Sequence, residues 1–266
     1  MLSFVGLGLY DEKDVSVRGL ETIKDADLVY AEFYTSRLMG VSPERLEEFY
    51  GKDVHLLRRE DVEVSPDEWM SQAGEKKVAF LVGGDPMIST THLDLRLRAL
   101  KMGIETRVVN SSSIVTAVSG LTGLQNYRFG RSTSIPYPYV ARGNRIVAQS
   151  PYDVVVENLE RNLHTLLFLD IQVNRYMTAS EGAKLLLEME KISGGDRLSA
   201  ALGVGVARAG SDDANVLADW LPKLAEHDLG GPLHILVVPA RLHFMEAEGL
   251  VALAKAPEEI LKAAES

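Results

Sequence analysis

Five consecutive apolar residues, Val78 to Val82, run straight into Gly83-Gly84-Asp85-Pro86, and that abrupt break restricts the fold more than any other feature of the chain. A continuous apolar run of this length suits a strand covered on both faces. Gly83 and Gly84 permit close approaches that a Cβ forbids, Asp85 puts a carboxylate in the turn, and Pro86 fixes φ and donates no hydrogen bond. A ligand can lie directly on such a backbone. Beyond it, Leu93, Leu95, Leu97, Leu100 and Met102 alternate with Asp94, Arg96, Arg98 and Lys101 in a mostly helical pattern. Ile104 to Val109 starts a second strand, and Asn110-Ser111-Ser112-Ser113 offers capping oxygens to the next helix. Two strand ends thus deliver polar loops to one edge of a sheet, where open α/β sheets bind ligands. Ordinary tight turns between strand and helix have the same chemistry, and these residues alone leave both readings open.

The same grammar runs through the flanking chain. Leu2 to Val5 is a first strand, closed by Gly6-Leu7-Gly8-Leu9-Tyr10; the GxG pair starts a dinucleotide fingerprint, but Asp11 stands where its third glycine belongs. It is a third candidate loop for the same edge. A helix over Asp14 to Asp25 leads to a strand over Leu28 to Ala31 and the cluster Glu32, Tyr34, Thr35 and Ser36, which reads equally as a site or as structural hydrogen bonding. Ser42-Pro43 and Ser65-Pro66 have the chemistry of helix starts, with a strand, Val54 to Leu57, between them. Strands alternating with helices imply a largely parallel sheet. After Leu124 the texture changes, and Ile135-Pro136-Tyr137-Pro138-Tyr139 can join neither a helix nor a central strand. The pattern then predicts helices over Tyr152 to Leu163, Ser180 to Lys191, Asn215 to Glu226 and Glu258 to Ala264. Strands are expected at Leu166 to Leu169, which Asp170 ends, at Leu202 to Val206 and at His234 to Val238. With 266 residues, 46% of them hydrophobic, two α/β domains are expected, an N-terminal one over 1–110 and a C-terminal one over 111–266.

Charge and residue usage narrow the chemistry. A net charge of −10 opposes a nucleic-acid coat, which needs a basic surface. Arg128, Arg131, Arg142 and Arg145 fall close together, where a solvated loop is the favoured reading. Without cysteine there is no disulfide, thiolate metal site or thiol nucleophile. The six histidines are scattered singly, so no metal site is expected, and neither a GxSxG elbow nor a phosphate-binding GxxxxGK[ST] occurs. No leader and no membrane-length apolar run is visible, so a cytoplasmic protein without a membrane partner is expected. There remains a set of small-residue loops with few ionisable groups, suited to holding a reactive cofactor.

The segments FVGLGLYDEKD, YAEFYTS, GGDPMISTTH, NSSSIVTAVSGLTGL, HTLLFLDI, ARAGS and DLGGPLHILVVPA occur in an order that resembles the diphthine synthases of the tetrapyrrole methylase superfamily. The likeness runs from Leu2 to about Glu248 and is weakest over Tyr137 to Ser150. It implies a homodimer of two α/β domains of the tetrapyrrole methylase type, with S-adenosyl-L-methionine in a cleft between them and S-adenosyl-L-homocysteine as product. It further implies successive methylation of the amino group of a modified histidine, 3-carboxy-3-aminopropyl-histidine, in translation elongation factor 2, forming diphthine in diphthamide biosynthesis. By motif position the resemblance places cofactor contacts at Leu9, Asp85, Ile88, Ser113, Ile114, Leu169, Ala209 and His234. No catalytic base is assigned. Asp85 is expected to pair with a cationic part of the cofactor.

Overall fold

A computed structural model describes residues 1–34, 36–173 and 175–264. The chain divides into two compact units, Met1–Ile114 with Gly210–Asp212, and Val115–Ala209 with Asp213–Ser266.

In the first unit, β1 (Leu2–Gly6), β2 (Leu28–Glu32), β3 (Val54–Leu57), β4 (Val78–Val82) and β5 (Thr106–Val109) form one sheet in the order β3-β2-β4-β1-β5. Every pairing is parallel. Burial on both faces explains the unbroken apolar runs. Leu2, Phe4, Val78 and Phe80 join Trp69, Leu95 and Ala99 in one core. Val5, Ala79 and Leu81, pointing the other way by the strand period of two, join Ile23, Leu46 and Tyr50 in another. The expected start at Ser42 holds: its hydroxyl accepts from Arg45 N, Pro43 opens the helix Pro43–Tyr50, and Gly51 ends it in the left-handed region. Ser65 differs, because the helix Asp67–Met70 has Pro66 at its cap position and no side-chain cap.

The second unit has a mixed sheet. The strands β6 (Thr133–Ile135), β7 (Tyr139–Ala141), β8 (Asn144–Ile146), β9 (Thr165–Leu169), β10 (Ile171–Gln172), β11 (Arg175–Tyr176), β12 (Leu202–Ala207), β13 (Asn215–Trp220) and β14 (His234–Val238) follow in sequence. Five of them pair as β13-β12-β14-β9-β6, while β7-β8 and β10-β11 are small ribbons. The helix Ala179–Ser193 covers the larger sheet, burying Ala183, Leu186 and Met189 against Leu167, Leu169 and Leu236.

The expected helix over Asn215 to Glu226 is instead β13 followed by the short helix Leu221–Leu224. Six residues pair antiparallel with β12, from Leu202↔Trp220 to Ala207↔Asn215. Val216, Leu217, Trp220, Leu221 and Leu224 are spaced acceptably for a helix, but an open edge of β12 offers a full ladder of backbone bonds, and Pro222 sits comfortably in the first turn of the short helix.

Of the four arginines expected in a solvated loop, Arg131, Arg142 and Arg145 are exposed, and Arg128 differs. Arg128 is 14% exposed and donates to the buried Glu246 at 2.5 Å and to Arg241 O at 2.6 Å.

Candidate active site

The parallel order makes β1 and β4 neighbours, and their following helices leave on opposite faces of the sheet. Helix Val17–Asp25 sends Ile23 into one core, and helix His92–Lys101 sends Leu95 and Ala99 into the other. Adjacent strands whose connections part in this way open a crevice at their carboxyl ends, the usual ligand position in an open α/β sheet.

The loops at that crevice are zipped together. Gly8 N donates to Gly84 O at 3.2 Å and Gly84 N returns to Gly8 O at 2.6 Å. Gly84 has φ +76, and a Cβ built on it meets nothing within 4 Å, so its backbone stands open to an approaching group. Asp14, which sequence reasoning read only as a helix residue, organises the first loop: its Oδ2 accepts from Leu9 N at 3.1 Å, Tyr10 N at 2.6 Å and Asp11 N at 3.4 Å. Asp85 joins the second loop to the third. Its Oδ1 accepts from Met87 N at 3.0 Å, and its Oδ2 from Asn110 Nδ2 at 2.9 Å and Ser111 N at 3.3 Å. Ser111 Oγ donates to Asp14 O at 3.2 Å, closing the circuit. Gly210, which belongs to this unit, packs so closely on Leu9 that a Cβ would lie 2.8 Å from that residue's own. Leu9, Asp85, Ile88 and Ser113 therefore lie on three cross-linked loops, with Asp85 and Ser113 buried and Ile88 exposed, and Ile114 opens the helix Ile114–Thr122 that follows the third.

Beneath Pro86 lies His92, buried, with Nδ1 donating to Pro86 O at 3.0 Å. Burial pushes its pKa down and so favours the neutral ring, outweighing the Pro86 carbonyl, which pulls the other way. Its Nε2 faces Glu32 Oε1 at 3.8 Å, while Glu32 Oε2 accepts from Tyr34 N at 3.1 Å. Burial and the Glu32 charge push the Tyr34 hydroxyl up. Of the polar cluster at the end of β2, Glu32 is buried and faces His92, and Thr35 lies outside the described residues.

In the second unit the other three expected residues gather at one sheet edge. His234 opens β14 opposite Ala207 of β12, and the neighbouring pair Ile235↔Phe168 sets it beside Leu169 at the end of β9. Ala209 follows two residues after β12. The His234 ring is fully used: Nδ1 accepts from Ala179 N at 3.1 Å, and Nε2 donates to Gly230 O and Gly231 O at 3.0 and 2.9 Å. Burial lowers its pKa although both carbonyls pull the other way. Its side chain anchors the strand start, leaving the backbone as what it offers a ligand.

The profile of the tetrapyrrole (corrin/porphyrin) methylases matches residues 1–225. A diphthine synthase of Methanosarcina acetivorans is 58% identical over 267 residues, covering 100% of both chains. One of Haloquadratum walsbyi is 48% identical over 268 residues, again covering 100% of both. The chain belongs to the diphthine synthase family. A crystal structure of diphthine synthase superposes with a TM-score of 0.91 at 42% identity, covering 99% of each chain.

For a diphthine synthase, two features escaped sequence reasoning. Asp14 carries no signal beyond its distance from Gly8, because three amides on one carboxylate is a tertiary arrangement. The set of Arg128 with the buried His164 and Glu246 spans more than a hundred residues of chain, and nothing local links its members.

Proposed function

We propose that this diphthine synthase family member transfers methyl groups from S-adenosyl-L-methionine to the amino group of 3-carboxy-3-aminopropyl-histidine in translation elongation factor 2. The full-length identity of 58% to a diphthine synthase carries the reading.

The residues present fit such a donor. Residues 6–11, 83–88 and 110–114 contain no lysine or arginine, while Asp11, Asp14 and Asp85 give that edge an acidic character. Polyphosphate is disfavoured there and a sulfonium cation is not. S-adenosyl-L-methionine supplies a methyl group already activated by the positive charge on sulfur. The chain's task is then alignment more than acid/base work. The loops bearing Leu9, Asp85, Ile88 and Ser113, with Ile114 at the start of the helix Ile114–Thr122, would hold the donor. Asp85 acts by keeping two of the loops in register. The open backbone at Gly84 gives the close contact that its lack of a Cβ permits.

The chain works in the cytoplasm as a homodimer. Among the described residues no helix is long and apolar enough to cross a membrane. Helix His92–Lys101 buries Leu95 and Ala99 but exposes Leu93, Leu97 and Leu100 at helical spacing, an apolar stripe suited to a second copy.

Incubation of the pure protein with methyl-labelled S-adenosyl-L-methionine and elongation factor 2 carrying the modified histidine tests the reading. Label on that histidine supports it, and label only on a tetrapyrrole precursor offered in parallel replaces it with the other activity of the superfamily.

A further inference from the structure

Beyond Leu169 the chain passes through Asp170 into the ribbon β10/β11, where Ile171 pairs with Tyr176 and Gln172 with Arg175. Tyr137, between β6 and β7, touches two opposite charges at this ribbon. The backbone N–H of the buried Tyr137 donates to Asp170 Oδ2 at 2.9 Å, and Gln172 Nε2 reaches the same oxygen at 3.4 Å. No hydrogen bond among the described residues reaches Oδ1. The Tyr137 ring carries the guanidinium of Arg175 on its face, with Cζ 3.8 Å from the centroid. Arg175 Nη2 donates to Glu181 Oε1 at 3.1 Å, and the other oxygen of Glu181 is occupied by Thr178 N at 2.9 Å.

Stacking uses the face of a guanidinium and leaves its in-plane donors available. Glu181 takes one of them, and the side chain remains 59% exposed. A long cation held flat on a buried ring, yet open to solvent, is pre-organised for an oxyanion. Asp170, tied by one oxygen and open at the other, is pre-organised for a cation. Both lie at the end of the second sheet where Leu169 and His234 gather.

We infer that Asp170 and Arg175 receive a zwitterionic amino-acid head: Asp170 Oδ1 takes the amino nitrogen and the Arg175 guanidinium takes the carboxylate on the same carbon. This rests on the acceptor proposed above, whose aminocarboxypropyl group is such a head. The ammonium of the bound head first loses a proton to water, and in each transfer the lone pair of the resulting neutral amine forms the new N–C bond. The C–S bond breaks with its electron pair on sulfur, and the positive charge passes from sulfur to nitrogen. A proton leaves the nitrogen to water before any following transfer. Asp170 therefore meets a charge that grows during the step, whereas the Arg175 contact is the same before and after it. The two residues separate in the kinetics: Asp170 in kcat, Arg175 in the acceptor KM.

Steady-state methyl transfer to the modified elongation factor tests this with Asp170→Asn, which keeps an oxygen for Tyr137 N–H, and Arg175→Gln. Expected are a roughly tenfold or greater fall in kcat for D170N and a roughly tenfold or greater rise in acceptor KM for R175Q. Calorimetric affinity for S-adenosyl-L-homocysteine should match wild type in both, which separates these effects from misfolding. An acceptor whose carboxylate is converted to the amide should be used poorly by wild type and no worse by R175Q. The inference is overturned if R175Q still prefers carboxylate to amide by the wild-type factor, or if D170N keeps the wild-type kcat. A wild type inert toward the modified factor defeats the proposed function and this assignment together, whereas an active wild type with indifferent variants defeats this assignment alone.

Discussion

Asp85 shows how much one side chain carries at the loop edge. Its carboxylate accepts three N–H groups from two loops, and an amide has a single oxygen to offer them. Asp85→Asn should lower stability by about 1.5–3 kcal/mol, the range for hydrogen bonds to a charged group. It should also weaken donor binding, because the Gly84 and Ser111 loops lose their register; denaturant melts and calorimetry measure the two effects separately. Unchanged donor affinity would reduce Asp85 to a turn residue. Glu246 does comparable work in the second unit. Burial pulls its carboxyl up, but His164, together with the N–H groups of Gln125 and His243, outweighs that and holds it down at about 2, against an ordinary 4.5. A depressed native pKa stabilises the fold fully above the unfolded value and less as pH falls. Wild-type stability should therefore drop between roughly pH 4.5 and pH 2 through this group, and Glu246→Gln should flatten that part of the profile. The variant should cost roughly 3 kcal/mol or more at neutral pH, because Arg128 is left without its carboxylate. Denaturant midpoints across that range decide it.

Among the elements, β1 and β4 with their loops are where the tolerance is smallest. A Cβ on Gly6 would lie 2.6 Å from Gly84 O and 2.8 Å from Ser111 Cβ, so backbone must move to admit it. Gly6→Ala should cost about 1–3 kcal/mol and should impair donor binding more than it impairs folding, since the displaced atoms belong to all three loops. Thermal melts with and without S-adenosyl-L-homocysteine test this, and a full ligand-induced shift in the variant would contradict it. The elements were legible to different degrees for a physical reason. Strands buried on both faces, such as β1 and β4, announce themselves as apolar runs, and Ser42 with Pro43 announces a helix start by capping chemistry. The segment Asn215–Trp220 is an edge strand, one-sided and bounded by a proline, and its spacing satisfies a helix as well as a strand. Only the vacancy beside β12 decides between them.

At the scale of the whole molecule, assembly and identity draw on different parts of the chain. The stripe Leu93, Leu97 and Leu100 lies opposite the buried Leu95 and Ala99, so a charge on it should leave the fold intact. Leu97→Asp should convert a dimer to a monomer in sedimentation equilibrium with little change in the circular dichroism melt of the isolated chain. A dimer that survives would move the interface elsewhere. The sequence by itself determined the α/β class, the small-residue loops at strand ends and the family, because burial on two faces, sharp strand termination and motif order are all recorded locally. Tertiary structure alone decided that β1 and β4 are neighbours with helices leaving on opposite faces, and that Asp170 and Arg175 meet on Tyr137, the first of them 33 residues away in sequence. Periodicity tells each segment which face to bury, but which segments become neighbours is settled by long-range pairing of strands, and no single stretch of chain contains that information.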